Sequence, residues 1–304
     1  MQNPPTYMVD SPAIVVRQAT KSYLVTDSKS RHIDSQRVPR DGENVVHALS
    51  NVSFVASSGE SIGLIGRNGS GKSTLLKLIA GTEPLSAGEI YVKARPKLLG
   101  VTPALQPYLT GRKNILLGCL AMGLSRSEAE DIAPSIAEWS EIGDAIDRPM
   151  STYSAGQNAR LVFAISTAVR PEILLVDEAL STGDASFAKK AERRMKDMLS
   201  GAGNLFLVSH NTAQIRQNCD RVIWIHQGEV LIDSSASDIL PQYDEWSALV
   251  AAKKHDSAGR LVQELQEQYL DTIVKLSDEV GTTTHDEFKG LYTIPQSSPN
   301  PRQG

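Results

Sequence analysis

The stretch "GRNGSGKST" (66–74) places three glycines, a lysine and three hydroxyl-bearing side chains directly after the apolar run "SIGLI" (61–65). Its spacing, Gly66-x-x-x-x-Gly71-Lys72-Ser73, is that of a phosphate-binding loop. Glycine accepts backbone angles that a Cβ forbids, so successive N–H groups can turn inward around an anion. A strand pattern precedes the loop, and the helix pattern "STLLKLIA" that follows aims the positive end of a helix dipole at the same point. In such a loop the lysine reaches the terminal phosphates and the hydroxyl after it ligates Mg²⁺. Gly66, Asn68, Gly69, Ser70, Gly71, Lys72, Ser73 and Thr74 are therefore the candidate nucleotide-binding residues, with Ser73 also a candidate metal ligand.

The remaining composition narrows the function classes. At 304 residues the chain can bury a large core. A net charge of -4 gives no broad basic surface and argues against nucleic acid as a partner. Two cysteines, Cys119 and Cys219, are too few for a disulfide framework and fit a reducing compartment. The N-terminal "MQNPPTYMVDSP" lacks the basic start and apolar run of a signal peptide, and no apolar run is long enough to span a bilayer. A transmembrane role would have to come from a partner.

Along the chain, "AIVVRQATKSYLV" (13–25) reads as a first strand, and residues 26–45 as a polar insertion or long loop. "GEIYVKARPKLLGV" returns to strand character, and residues from about Thr110 to Ala168 turn helical, a subdomain inserted at about 101–170. "EILLVDEAL" (172–180) and "NLFLVSH" (204–210) are continuous apolar runs typical of buried parallel strands. "RVIWIHQGEVLI" predicts a terminal hairpin turning at Gln227-Gly228. Leu261, Leu265, Tyr269, Ile273, Leu276 and Val280 recur at helical spacing, and the proline-rich tail shows no apolar period. The expected layout is an α/β core over 13–245, a helical C-terminal extension over 246–282 and a disordered tail over 283–304.

Two further stretches carry chemistry. "ILLVDE" ends a strand on two carboxylates: Asp177 is placed to hold Mg²⁺ through water and Glu178 to polarise an attacking water. His210, closing a third buried strand, is a candidate contact to the γ-phosphate. "YSAGQ" (153–157) opens a helical pattern, and its serine and glycine offer hydroxyl and N–H donors to an anion. Because this loop lies in the helical subdomain, away from its own phosphate loop, it makes sense closing over the nucleotide of a second copy.

With these motifs in this order, the chain resembles the ATP-binding cassette ATPases. The resemblance implies a P-loop NTPase fold, ATP and Mg²⁺ as cofactors, and a head-to-tail homodimer sandwiching two ATPs. It implies that Ser154, Ala155, Gly156 and Gln157 act on the other copy's ATP, with Ala155 standing where glycine is more usual. It implies that Asp184, ending "STGD", belongs to a loop at the dimer contact, that His210 is the switch histidine, and that Tyr23 stacks on adenine. The glutamine many such cassettes carry before the "ENI"-like asparagine is missing: that register holds Val101, and Gln106 comes later, beside Pro107.

Within the family, "LTGRKNILLGCLAMGLSR", "EWSEIGDAIDRPMSTYSAGQ" and "LLVDEALSTGDASFAKKAERRM" resemble exporters of cell-surface polysaccharides, closest to teichoic-acid-exporting ATPases. That implies a peripheral subunit on the cytoplasmic face of the membrane, paired with two copies of a separate permease. The permease would contact the chain near residues 101–117. Teichoic acid and lipid-linked galactan both fit as cargo. Two alternatives are a soluble cassette ATPase acting on ribosomes or DNA, and a nucleotide-sensing module of low turnover. The first ordinarily carries doubled cassettes, a coiled-coil insertion or basic patches, none of which the sequence shows; the missing glutamine motivates the second.

Overall fold

The computed structural model describes residues 12–26, 29–32, 44–99, 105–177, 185–201, 203–209, 211–268, 274 and 292–293. The chain divides into two compact units. One comprises Met1–Pro96, Glu172–Glu178 and Gly203–Gly304; the other Lys97–Pro171 and Ala179–Ala202.

The first unit is built around the strand that feeds the phosphate loop, β4 (Ser61–Ile65). The preceding strands are β1 (Pro12–Thr26), β2 (Lys29–His32) and β3 (Asn44–Ser57). In chain order β4 is followed by α1 (Lys72–Ile79), β5 (Ala87–Val92) and, in the other unit, β6 (Lys97–Leu99). β7 (Ile173–Asp177), β8 (Asn204–Val208) and β9 (Arg221–His226) are parallel to β4, in the spatial order β9-β4-β8-β7. Their central residues are buried almost without exception, as expected for parallel strands covered on both faces. β10 (Glu229–Ser235) returns antiparallel to β9. Gln227 and Gly228 between them both have positive φ, 51° and 87°, the pattern of a two-residue hairpin turn matched to strand twist.

A second, antiparallel sheet joins β3 and β5 to the long β1. β2 pairs with β1 as well, so part of the 26–45 insertion is itself a strand. Phe54 of β3 meets Phe206 of β8 at 5.9 Å between ring centroids. Of the tail at 283–304, the described residues are Tyr292–Thr293, a short strand β11 paired with β5.

Arg221 ties these layers together. Its guanidinium donates to both carboxylate oxygens of Asp233 (2.7 and 2.6 Å), to Glu60 (2.8 Å) and to the Val55 carbonyl (2.8 Å). One side chain thus links β9, β10, β3 and the start of β4. Burial opposes its charge, but Asp233 and Glu60 together raise its pKa above the ordinary arginine value.

Three helices complete the unit: α6 (Thr212–Asn218), α7 (Ala236–Ala251) and α8 (His255–Gln268). α7 was not isolated by sequence periodicity and runs without a break through residue 245. On α8 the buried face is Ala258, Val262 and Leu265, while Leu261 is only partly covered; α8 packs on α7 and β10. Tyr269, Ile273, Leu276 and Val280 of the expected stripe lie outside the described residues.

The second unit is mainly helical: α2 (Gly111–Ala121), α3 (Arg126–Ser140), α4 (Ala155–Ser166) and α5 (Ala185–Gly201), with two short 3₁₀ turns before α4. It begins at Lys97 and takes in α5, which the range 101–170 does not include. Side-chain oxygens cap three of the helices: Thr110 accepts from Lys113 N–H, and Ser125 and Ser154 form capping boxes with Glu128 and Gln157. Ile115, Cys119, Ala129, Ile136, Leu161 and Ile165 fill its core. A second cluster stacks Trp139 on Phe163 at 5.5 Å and sets Phe187 edge-on to both.

Arg221→Ala would leave the carboxylates of Asp233 and Glu60, 7% and 33% exposed, without their cation. We expect a loss of about 3–5 kcal/mol in unfolding free energy. Denaturant titration checks it; a loss under about 1 kcal/mol would mean the network behaves as an ordinary surface ion pair.

Candidate functional site

The phosphate loop leaves β4 at its carboxyl end and is shaped by close contacts. Gly66 has φ 144°, and a Cβ there would lie 2.2 Å from the Ile225 carbonyl oxygen of β9. Gly71, at φ 105°, has the Ala48 carbonyl of β3 in the same role at 2.5 Å. Both positions therefore require glycine for conformation and for space. The tip of the β9–β10 hairpin holds the loop from outside: Gly228 N–H donates to the Ser70 carbonyl (3.1 Å), and the Gly228 carbonyl accepts from Ser50 N–H (2.9 Å). Ser70 Oγ, buried within the loop, has no hydrogen-bond partner among the described residues.

Lys72 opens α1 and is buried, with its ammonium donating to the carbonyls of Gly66 (2.7 Å) and Arg67 (2.8 Å). An ammonium has three donors, so the loop carbonyls occupy two and one remains for a phosphate oxygen. Burial lowers its pKa, and the nearby Asp177 carboxylate opposes that shift. Ser73 is exposed at the same helix end, while Leu75, Leu76, Leu78 and Ile79 anchor α1 in the core.

Strand register brings the acidic group to this edge. Leu64 of β4 and Asp177 of β7 both pair with Val208 of β8, so the three lie in one row across the sheet. Two strand spacings of about 4.8 Å separate Leu64 from Asp177. The strands end together, which puts Gly66, Asp177 and Ser209 at the carboxyl edge where ligands of open α/β sheets bind. Glu178, His210 and Asp184 lie outside the described residues. The residues on either side of position 210 are tied down: Ser209 Oγ donates to Gln214 (2.8 Å) and accepts from Asn211 N–H (3.1 Å). Asn211 caps α6 through Ala213 N–H at 3.0 Å.

Tyr23 stands beside α1. Its hydroxyl donates to Glu83 and interacts with Thr74, and the Lys21 ammonium sits 5.1 Å from its ring centroid. Burial, then Glu83, pushes the phenol well above the ordinary tyrosine pKa. Lys21 is itself fully buried and donates to the Pro84 carbonyl at 2.5 Å.

The "YSAGQ" residues belong to the second unit. Ser154 caps α4, accepting from Gln157 N–H at 3.2 Å, while the Gln157 side chain accepts from Ser154 N–H at 3.0 Å. Ser154 and Ala155 are exposed, and Gly156 and Gln157 are partly so. A Cβ on Gly156 would meet nothing nearer than Ser154 Oγ at 4.0 Å. Nothing in the described residues calls for a glycine there.

Asn114 has a role that spacing alone did not reveal. Fully buried, it accepts from Gln106 N–H (2.7 Å) and donates to the carbonyls of Gln106 (2.9 Å), Leu109 (3.1 Å) and Thr110 (3.2 Å). It fixes the backbone at Gln106; Val101 lies outside the described residues.

Two substitutions separate phosphate binding from folding. Lys72→Ala is expected to weaken nucleoside triphosphate binding by roughly ten- to a hundredfold, the worth of a charged hydrogen bond. Calorimetric titration checks this, and parent-like affinity would refute the role. Gly156→Ala is expected to stabilise the chain by about 0.5–1 kcal/mol, because a Cβ fits and helical glycine is unfavourable. The same variant is expected to slow triphosphate hydrolysis roughly tenfold or more. Undiminished turnover would show that nothing approaches Gly156.

Comparison with known proteins agrees with this geometry. A family model described as "ABC transporter" matches residues 49–181. The teichoic acids export ATP-binding protein TagH of Listeria innocua serovar 6a is 37% identical over 234 residues, 77% of this chain and 70% of that protein. The O-antigen export system ATP-binding protein RfbE of Yersinia enterocolitica is 39% identical over 239 residues, 75% of this chain and 99% of that protein. Among solved structures, a dimeric post-hydrolysis ATP-binding cassette bound to ADP and Pi gives a TM-score of 0.55 at 21% identity, covering 73% of this chain and 98% of the other. With a glycine-shaped phosphate loop, an aspartate in register at the same sheet edge and relatives matched over most of their length, this chain belongs to the ATP-binding cassette family of ATPases.

Proposed function

We propose that this ATPase is the nucleotide-hydrolysing subunit of an exporter of a lipid-linked cell-surface polysaccharide. It works as a homodimer with two copies of a membrane permease, on the cytoplasmic face of the membrane. The observation that carries the catalytic part is the shared row of Leu64, Val208 and Asp177, which sets the phosphate loop and the acidic strand end at the same edge of the sheet, one strand apart. The export part rests on the two relatives, one named for teichoic acids export and one for O-antigen export.

In this proposal the loop amides and Lys72 bind the β- and γ-phosphates, with Lys72 held in place by the Gly66 and Arg67 carbonyls. Ser73 and Asp177 form the oxygen donor pair suited to Mg²⁺, which takes few protein ligands alongside phosphate oxygens; when bound, the ion would supply charge neutralisation at the phosphates. Glu178 acts as general base toward the attacking water, and His210 contacts the γ-phosphate. Tyr23 stacks on adenine. Ser154, Ala155, Gly156 and Gln157 of the partner copy donate to the same nucleotide, with Asp184 at the dimer contact. ATP, complementary to both copies, closes the dimer; hydrolysis removes the bridging phosphate and reopens it.

The permease reads that motion at residues 101–117. Tyr108, 71% exposed, is a large apolar side chain available there for a partner. Among the described residues no helix is long and apolar enough to cross a membrane, and the proposal assigns passage of the polymer to the permease.

Glu178→Gln is expected to bind ATP like the parent, lose hydrolysis by about a hundredfold or more, and accumulate an ATP-bound dimer on size exclusion. Parent-rate hydrolysis would remove Glu178 from the role. For export, depleting the subunit in its host should trap lipid-linked polymer on the cytoplasmic side. Unchanged surface polymer after depletion would refute the export assignment while leaving the ATPase intact.

A further inference from the structure

The segment that joins α1 to β5 is docked on β1. Ser86 N–H donates to the Thr20 carbonyl (2.8 Å), and Ser86 Oγ accepts from Ser22 N–H (3.0 Å). Lys21, fully buried, donates to the Pro84 carbonyl at 2.5 Å. The backbone on either side of Glu83 is therefore tied to the residues just before Tyr23. The Glu83 side chain, 17% exposed, spans two elements: it pairs with Lys77 of α1 at 3.3 Å and accepts from the Tyr23 hydroxyl. Burial opposes its charge, but the Tyr23 hydroxyl and Lys77 hold its carboxyl below the ordinary pKa. An ionised carboxylate only accepts, so the phenol is the donor.

These contacts decide how the Tyr23 ring stands. Its hydroxyl end is tied to Glu83, and the Lys21 ammonium lies over one face, 5.1 Å from the centroid. A flat ligand can therefore stack only on the opposite face. Tyr23 lies opposite Val46 of β3, and directly opposed residues of an antiparallel pair share a face of the sheet. Val46 is 51% exposed, so it extends the apolar surface beside the ring. On the same strand the Ala48 carbonyl walls Gly71 of the phosphate loop. An aromatic ring and an aliphatic side chain next to a phosphate loop suit the base of a nucleotide. We propose that Glu83 is a positioning residue for that base: its carboxylate, paired with Lys77 on the helix that opens at Lys72, fixes the Tyr23 ring relative to the phosphate loop. Ordering the ring before ATP binds removes a cost that binding would otherwise carry.

Glu83 has this role only with Tyr23 stacked on adenine, the reading given above, and Tyr23→Ala tests that reading by itself. Tyr23→Phe keeps the ring and the Glu83–Lys77 pair and removes only the bond to Glu83. The full-length variant should bind Mg²⁺–ATP about three- to tenfold more weakly, the worth of one hydrogen bond. Inorganic tripolyphosphate, which has no base, should bind it with parent affinity. KM for ATP should rise in step, with kcat within about twofold because the reacting groups are unchanged. Glu83→Leu should reproduce the loss, and adding Tyr23→Phe to it should weaken ATP no further, since both remove one bond. Should Glu83→Leu fail to fold, Tyr23→Phe decides alone. Parent-like ATP affinity in Tyr23→Phe, with Tyr23→Ala weakened, would overturn the role of Glu83 and leave the stacking reading in place. Equal losses for ATP and tripolyphosphate, or additive losses in the double variant, would overturn it as well. Parent-like ATP affinity in Tyr23→Ala would remove the stacking reading, and the role of Glu83 with it.

Discussion

The Ile225 carbonyl oxygen of β9 occupies the space where any side chain at residue 66 would begin. Much of the site depends on that contact. It demands glycine at the mouth of the loop, and a glycine there can take the φ of 144° that turns its carbonyl onto Lys72. The Ala48 carbonyl imposes the same condition at Gly71 from the opposite sheet. A hairpin tip then closes the frame, with Gly228 bonded to Ser70 on one side and to Ser50 on the other. The loop is thus a mould whose walls are backbone atoms of β3 and β9. Preformed donors of this kind do not have to reorganise when negative charge arrives or shifts among the phosphate oxygens.

Holding those walls still is a task for the rest of the first unit. Arg221 opens β9 and binds carboxylates on β10 and at the start of β4, and also a β3 carbonyl. The strand that supplies the Ile225 carbonyl is therefore tied to both of its neighbours by one guanidinium. At the far end of the same strand, Trp224 engages Tyr243 and Trp246 of α7. Charge pairing at one end and aromatic packing at the other keep β9 in register with β4. That register matters because a parallel sheet has no tight turns between neighbouring strands to set it.

The helical unit is organised by local hydrogen bonds to a greater degree. Capping boxes at Ser125 and Ser154 start α3 and α4, and Asn114 gathers the turn before α2 with four hydrogen bonds. Ser154 thereby has a structural duty in its own helix while remaining exposed. The capping bond and a contact to a phosphate are compatible, because a hydroxyl has acceptor and donor capacity together. Gly156 differs: it has room for a Cβ, and its φ is not in the left-handed region.

What the sequence determined by itself is whatever depends on short spacing. The phosphate loop, the buried parallel strands at 173–177 and 204–208, the Gln227-Gly228 turn and the start of α4 were all legible, because each rests on residues within a few positions of one another. α7 was not, since Pro241 within it breaks the helical signal. The buried face of α8 was displaced from Leu261 to Val262, because period identifies a stripe while the neighbours, here α7 and β10, decide which edge of it is covered. Only the tertiary structure could place Asp177 in the same row as Leu64, through a strand that lies more than a hundred residues from one of them. Only it could bring Tyr243 to the cleft lined by Gly66, or Arg221 to Glu60, since neither pair carries any mark in its own surroundings. Such contacts are products of strand order and helix packing. Those are set by burial summed over the whole core, which has no sequence period of its own.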